Sequence, residues 1–157
     1  MNFKKRILVA PLNWGLGHAT RCIPIIQALI QHKFEPIIAS DGSSLDLLKK
    51  EFPLLTFIEL PSYNIKYSKY GFLLKWQFVK NIPKLLKTIK EERNLVQKVL
   101  QEYNIDGIIS DNRFGVYSLN RNIPSVYITH QIKVFSGSTT FVSTRLYQHI
   151  IKKYDEC

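Results

Sequence analysis

Ile7-Leu8-Val9-Ala10-Pro11-Leu12, followed by Asn13-Trp14-Gly15-Leu16-Gly17-His18, passes from a near-continuous apolar run straight into a glycine turn. Such a run suits a strand buried on both faces, as in a parallel sheet. From His18 to about Gln31, Ile23, Ile26, Leu29 and Ile30 return at helical spacing. Pro24 implies a helix that starts late or bends at that point. The first unit is therefore strand, glycine turn, helix.

The same alternation continues along the chain. Pro36 to Ser40, Leu55 to Leu60, Ile105 to Ser110 and Pro124 to Thr129 read as four more strands. Helical patterns fill the gaps: Ser44 to Glu51, Phe72 to Tyr103 with a break near Pro83, about Phe114 to Arg121, and Phe141 to Lys153. Strands alternating with helices predict an α/β fold: a Rossmann-like three-layer α/β/α sandwich with a mostly parallel sheet. In such folds ligands sit beyond the carboxyl ends of the strands. That rule places Asn13 to His18, Asp41 to Ser43, Ser62 to Gly71, Asp111 to Gly115 and His130 to Thr140 along one rim.

At 157 residues the chain suits one domain, with a core large enough to need no disulfide. Cys22 lies in an apolar helix pattern, and neither it nor Cys157 has metal-site spacing. A reduced, cytoplasmic setting is the simplest reading. No signal-peptide core and no transmembrane-length apolar stretch occurs. No cofactor or metal is implied. Lys and Arg number 22 against 12 Asp and Glu, a net charge of +10, which favours an anionic partner.

Gly15 and Gly17 permit a tight turn and close approach of a ligand, and a helix opening there can hold an anion. They can equally serve the turn alone. The spacing is not that of the dinucleotide fingerprint, because no third glycine follows. At a helix amino terminus His18 is disfavoured as imidazolium, and a neutral ring can take a proton from a hydroxyl. It can also be a simple helix cap. Asp111, just after the fourth strand, can orient His18, or instead cap the following helix or hydrogen-bond the Asn112-Arg113 turn. Asn13, Arg21, Arg113, His130, Gln131 and Ser136 to Thr140 are further polar groups on or near the rim, suited to phosphate, sugar or solvent.

Ser62 to Lys90 carries seven lysines and no acidic residue, interleaved with Tyr63, Tyr67, Tyr70, Phe72, Trp76 and Phe78. That mixture suits a helix with aromatics in the core and lysines in water, a segment lying on anionic lipid, or a surface that stacks bases.

Ile7 to Pro11, Gly15-Leu16-Gly17-His18-Ala19-Thr20-Arg21 and Ile23-Pro24 to Leu29 resemble the opening of GT-B glycosyltransferases, specifically family 28, which includes the peptidoglycan N-acetylglucosaminyltransferase. Ser110 to Gly115 and Thr129-His130-Gln131 resemble a less characterised branch of that family. The resemblance implies a two-domain enzyme in which residues 1–157 form the Rossmann-like, acceptor-binding amino-terminal domain. A carboxyl-terminal domain binding most of the UDP-sugar would lie outside them, in a longer chain or in a partner chain of a split enzyme. It implies a hexosyltransferase, inactive as this domain alone, with His18 as general base and Asp111 behind it. Asn13, Gly15, Gly17, Arg21, Arg113, His130 and Gln131 become candidate substrate contacts. The acceptor would be a hydroxyl compound, with a lipid-linked one and peripheral attachment to the inner membrane face as one version. The turn is poorer in glycine than that of the peptidoglycan enzyme, so the acceptor of that enzyme is not carried over. A non-catalytic nucleotide-binding module and a basic nucleic-acid-binding domain remain as alternatives.

Overall fold

The computed structural model describes residues 4–63, 71–120, 122–130 and 140–157, with only the backbone for 71–82 and for 140, 142, 143 and 146. Five strands and four helices follow in the order β1 (Arg6–Pro11), α1 (Gly17–Gln31), β2 (Glu35–Ser40), α2 (Gly42–Glu51), β3 (Thr56–Glu59), α3 (Gly71–Glu102), β4 (Gly107–Asp111), β5 (Ser125–Ile128) and α4 (Thr140–Ile151). All strand pairs are parallel, in the order β3-β2-β1-β4-β5. The expected Rossmann-like α/β sheet is present.

Alternation along the central strands divides the core. Leu8, Ala10, Ile37, Ala39 and Ile108 face α3 residues Val96, Val99 and Leu100. Val9 and Ile38 point the other way, onto Ala19, Cys22 and Ile26 of α1 and Leu48 of α2. These are the two faces of a pleated sheet, each covered by helices. A third cluster, Tyr117, Tyr127 and Tyr154 with Tyr147, packs α4 at the β5 side. Beyond α4, Val126 makes a parallel bridge with Glu156, and Tyr127 N–H donates to the Glu156 carbonyl at 2.9 Å.

Three local expectations are corrected. Helix α1 runs through Pro24 from Gly17, because the carbonyl that loses its donor belongs to exposed Thr20. Helix α3 likewise runs unbroken through Pro83, one missing bond within 32 helical residues. Between β4 and β5 no helix forms over Phe114 to Arg121 in the described residues. That segment is pressed against α3: a Cβ on Gly115 would sit 2.6 Å from the Ile89 carbonyl oxygen. Its backbone is satisfied by side chains, Gly115 N–H by Glu92 at 2.8 Å, Ser118 N–H by Ser125 at 3.0 Å and Leu119 N–H by Gln97 at 3.1 Å. These bonds stand in for the ladder a helix would have made.

Candidate active site

The chain leaves β1 toward β2 and β3 on one side, then returns to place β4 and β5 on the other. The order therefore reverses between β1 and β4, where open α/β sheets form a crevice at their carboxyl ends. Pro11 and Asp111 are paired at that point, and Leu12 N–H donates to the Asp111 carbonyl at 2.9 Å. The glycine turn leaves β1 there with Gly15 at φ +78°, a conformation that a side chain would strain. A Cβ at Gly15 or Gly17 would meet nothing within 4 Å, so both backbones face open space. Trp14 and Leu16 are exposed beside them.

His18, Arg21 and Cys22 fall at i, i+3 and i+4 of α1, on one face of the helix. That face meets Asp111, whose side chain is wholly buried. His18 Nδ1 lies 3.0 Å from Asp111 Oδ1, and its side chain is 13% exposed. Its Nε2 makes no hydrogen bond to the described residues. Arg21 grips the carboxylate side-on: Nε donates to Oδ2 at 3.0 Å and Nη2 donates to Oδ1. That hydrogen bond holds the guanidinium above its ordinary pKa, against the opposing effect of its burial. Asp111 does not cap a helix; its side chain is committed to α1.

The Cys22 thiol is buried, with Sγ 3.9 Å from Asp111 Oδ2. Burial, with the nearby carboxylate, pushes it up to about 12. A thiol so protonated is a poor nucleophile. Alkylation of the native protein at neutral pH is expected to modify one cysteine, the exposed Cys157, and unfolding in denaturant to release the second. Two equivalents modified at equal rates in the folded state would contradict the packing described for Cys22.

The remaining candidates separate. Arg113 is corrected: it is not a ligand contact but a wholly buried cation. Its Nε donates to Glu92, its Nη1 to Asp41 at 2.6 Å and its Nη2 to the Pro61 carbonyl at 2.8 Å. Burial opposes its charge, but attraction by Glu92, with Tyr63 and Asp41, outweighs that and raises its pKa. Asn13 is also engaged within the fold. Its Oδ1 accepts from Ser43 Oγ at 3.0 Å and Ser44 N–H at 3.3 Å, serving the amino terminus of α2, and its Nδ2 donates to Asp41 at 3.3 Å. The glycine turn is thus tied through Asp41 to Arg113. His130 is exposed just after β5, on the same rim. Gln131, Ser136 to Thr139 and most of the lysine- and aromatic-rich segment lie outside the described residues, or outside those with described side chains.

Glu92 is a site-supporting residue that the sequence reading misses. It is wholly buried, and Tyr63 Oη–H and Gly115 N–H also donate to it. One signal exists: Glu92 stands three residues after Ile89 and four before Val96, on the inward face of its helix.

No protein-family model matches the chain, and no curated protein is similar to it in sequence. Solved structures are similar in fold. A putative UDP-N-acetylglucosamine 2-epimerase from Listeria monocytogenes superposes with a TM-score of 0.63 at 13% identity, over 98% of this chain and 38% of that one. MurG from Acinetobacter baumannii gives 0.57 at 13%, over 99% and 41%. A glycosyltransferase from Rickettsia africae ESF-5 gives 0.55 at 20%, over 91% and 33%. The chain therefore spans between a third and about two fifths of the length of these structures. Its five-stranded parallel sheet has the fold of one Rossmann-like domain of the GT-B architecture.

Proposed function

We propose that residues 1–157 are the acceptor-binding half of a glycosyltransferase that moves a sugar from a nucleotide donor, UDP-linked, to an acceptor hydroxyl. The observation that carries this reading is the 3.0 Å contact of His18 Nδ1 with buried Asp111, made at the crevice beside a solvent-facing glycine turn. With Nδ1–H directed at the carboxylate, the Nε2 lone pair is free to act as base. The acceptor hydroxyl gives its proton to Nε2 while its oxygen bonds to the anomeric carbon. The bond from that carbon to the donor phosphate breaks, and the nucleoside diphosphate leaves. Asp111 stabilises the imidazolium formed. The backbone of Gly15 to Gly17, open to solvent at the start of α1, is suited to a polar or anionic part of the substrates. His130 supplies another exposed polar group on the rim, and Gln131 belongs to the same proposal from the sequence resemblance.

A second Rossmann-like domain, supplying most of the donor site, completes the proposal. Exposed Lys84, Lys87 and Lys90 on α3 favour the version in which the acceptor is lipid-linked at an anionic membrane surface. Among the described residues no helix is long and apolar enough to cross a membrane. Calorimetry tests the two-half reading directly. The chain alone is expected to show little or no heat of binding with UDP-sugars, NAD or ATP. Tight UDP-sugar binding would overturn the division of labour, and tight NAD or ATP binding would favour a plain nucleotide-binding module.

A further inference from the structure

Asn112 follows β4 with φ +59°, a left-handed conformation that asparagine tolerates better than most side chains. Its N–H donates to the Ile128 carbonyl at 3.2 Å, which keeps it beside β5 at the carboxyl rim, one residue past Asp111. Two phenols hold its side chain. Tyr127 Oη–H donates to Oδ1 at 3.2 Å, and Tyr147 Oη–H donates to it at 3.1 Å. The orientation of the amide follows from Tyr127, which is buried. Burial, with the Tyr147 hydroxyl beside it, raises the pKa of Tyr127 far above the ordinary phenol range, so it remains an O–H donor. Its other acceptor among the described residues is Tyr147 Oη, at 3.5 Å. Turning the amide over would leave a buried hydroxyl with that longer contact alone. Oδ1 therefore faces the tyrosines, with both of its lone pairs used.

The Nδ2 group is left over. It makes no hydrogen bond to the described residues, and it is not buried: among those residues Ser44 Oγ is the only buried side-chain N or O atom without a partner. Two N–H donors reach the surface on a mount fixed by two tyrosines. The side chain of Asp111 is committed to α1, and that of Asn112 to β5 and α4. The His18 ring and the Asn112 amide thus flank the end of β4.

We propose that Asn112 is a substrate-binding residue, whose Nδ2 donates to an oxygen of the same acceptor that gives its proton to His18, either a neighbouring sugar hydroxyl or a phosphate oxygen. This deepens the acceptor-binding reading made above and rests on it for the identity of the ligand.

Two probes separate the sources of that oxygen: n-octyl β-D-glucoside below its micelle concentration, and n-octyl phosphate. Each carries an alkyl chain suited to exposed Trp14 and Leu16. NMR on the ¹⁵N-labelled chain reads binding at the Asn112 side-chain NH₂ pair, assigned as the pair missing from Asn112→Asp, and at the Gly15 and Gly17 amides. One probe is expected to shift both sets of signals saturably. Asn112→Asp keeps oxygens for the two phenols but has no N–H to donate. Asn112→Gly keeps the left-handed backbone and adds no charge. In both, the affinity read at the glycine amides should fall by about tenfold. If one variant fails to fold, the other carries the test. No response to either probe overturns the proposal, as does a folded Gly variant that binds as tightly as the original chain. Glycine amides that shift while the Asn112 pair stays still also overturn it, and leave the acceptor-binding reading intact. An Asn112 pair that shifts while the glycine turn stays still would support the donor site and count against that reading.

Discussion

Under the proposed function, His18→Ala is expected to lower sugar-transfer turnover by about 10²–10⁴-fold, the range for loss of a general base. The measurement uses the chain together with the second domain proposed above, with initial rates at saturating donor. The effect should fall on kcat, because the ring is only 13% exposed and offers little binding surface, while its Nε2 is free to take the acceptor proton. Asp111→Asn should fall with it. An amide retains the shape of the carboxylate but not its charge, and it can present N–H to Nδ1, which leaves the ring with its proton on Nε2. An unchanged rate in His18→Ala would remove the residue from the chemistry, whatever its contacts.

Arg113→Met lowers the free energy of unfolding by about 3–5 kcal/mol, as read by urea denaturation. The side chain is wholly buried and pairs with two carboxylates, Glu92 and Asp41, whose side chains are 0% and 7% exposed. Removing the cation leaves both without it. Glu92 would keep Tyr63 Oη–H and Gly115 N–H, and Asp41 would keep Asn13 Nδ2, which are weaker substitutes for a charge. Combining Arg113→Met with Glu92→Gln should cost less than the sum of the two, since the second change removes a stranded charge left by the first. A loss below about 1 kcal/mol in the single variant would show that the network is not holding the rim as described. The consequence would reach the site, because Asp41 is also the anchor of Asn13 in the glycine turn.

The alternation of apolar runs and helical patterns is enough to locate every strand named above and to foresee a Rossmann-like sheet. Burial on both faces leaves a strong mark on a short segment: Leu8, Val9 and Ala10 are all inaccessible. The positions of the glycine turn, His18 and Asp111 are legible for a related reason, since a strand's end places the next residues on the carboxyl rim of the sheet. The described part of the stretch expected to be helix, Phe114 to Asn120, is not one because its apolar residues follow a tertiary constraint. Phe114, Val116 and Tyr117 pack beside α3 and the tyrosine cluster, and Gly115 admits the approach of the Ile89 carbonyl.

Local sequence determined the five strands and the four helices that form, but not the course of the chain after Asp111, and it showed which polar residues stand near the rim, because periodicity and chain direction act over a few residues. Only the tertiary structure decided what those polar residues do. Arg21 and Arg113 are alike in sequence terms, each a cation two or three residues past a candidate site residue, His18 or Asp111. One lies partly exposed against Asp111 from 90 positions away, and the other is sealed among Asp41, Glu92 and Pro61. Charge pairing over such separations is set by which strands become neighbours, and that is a property of the folded sheet.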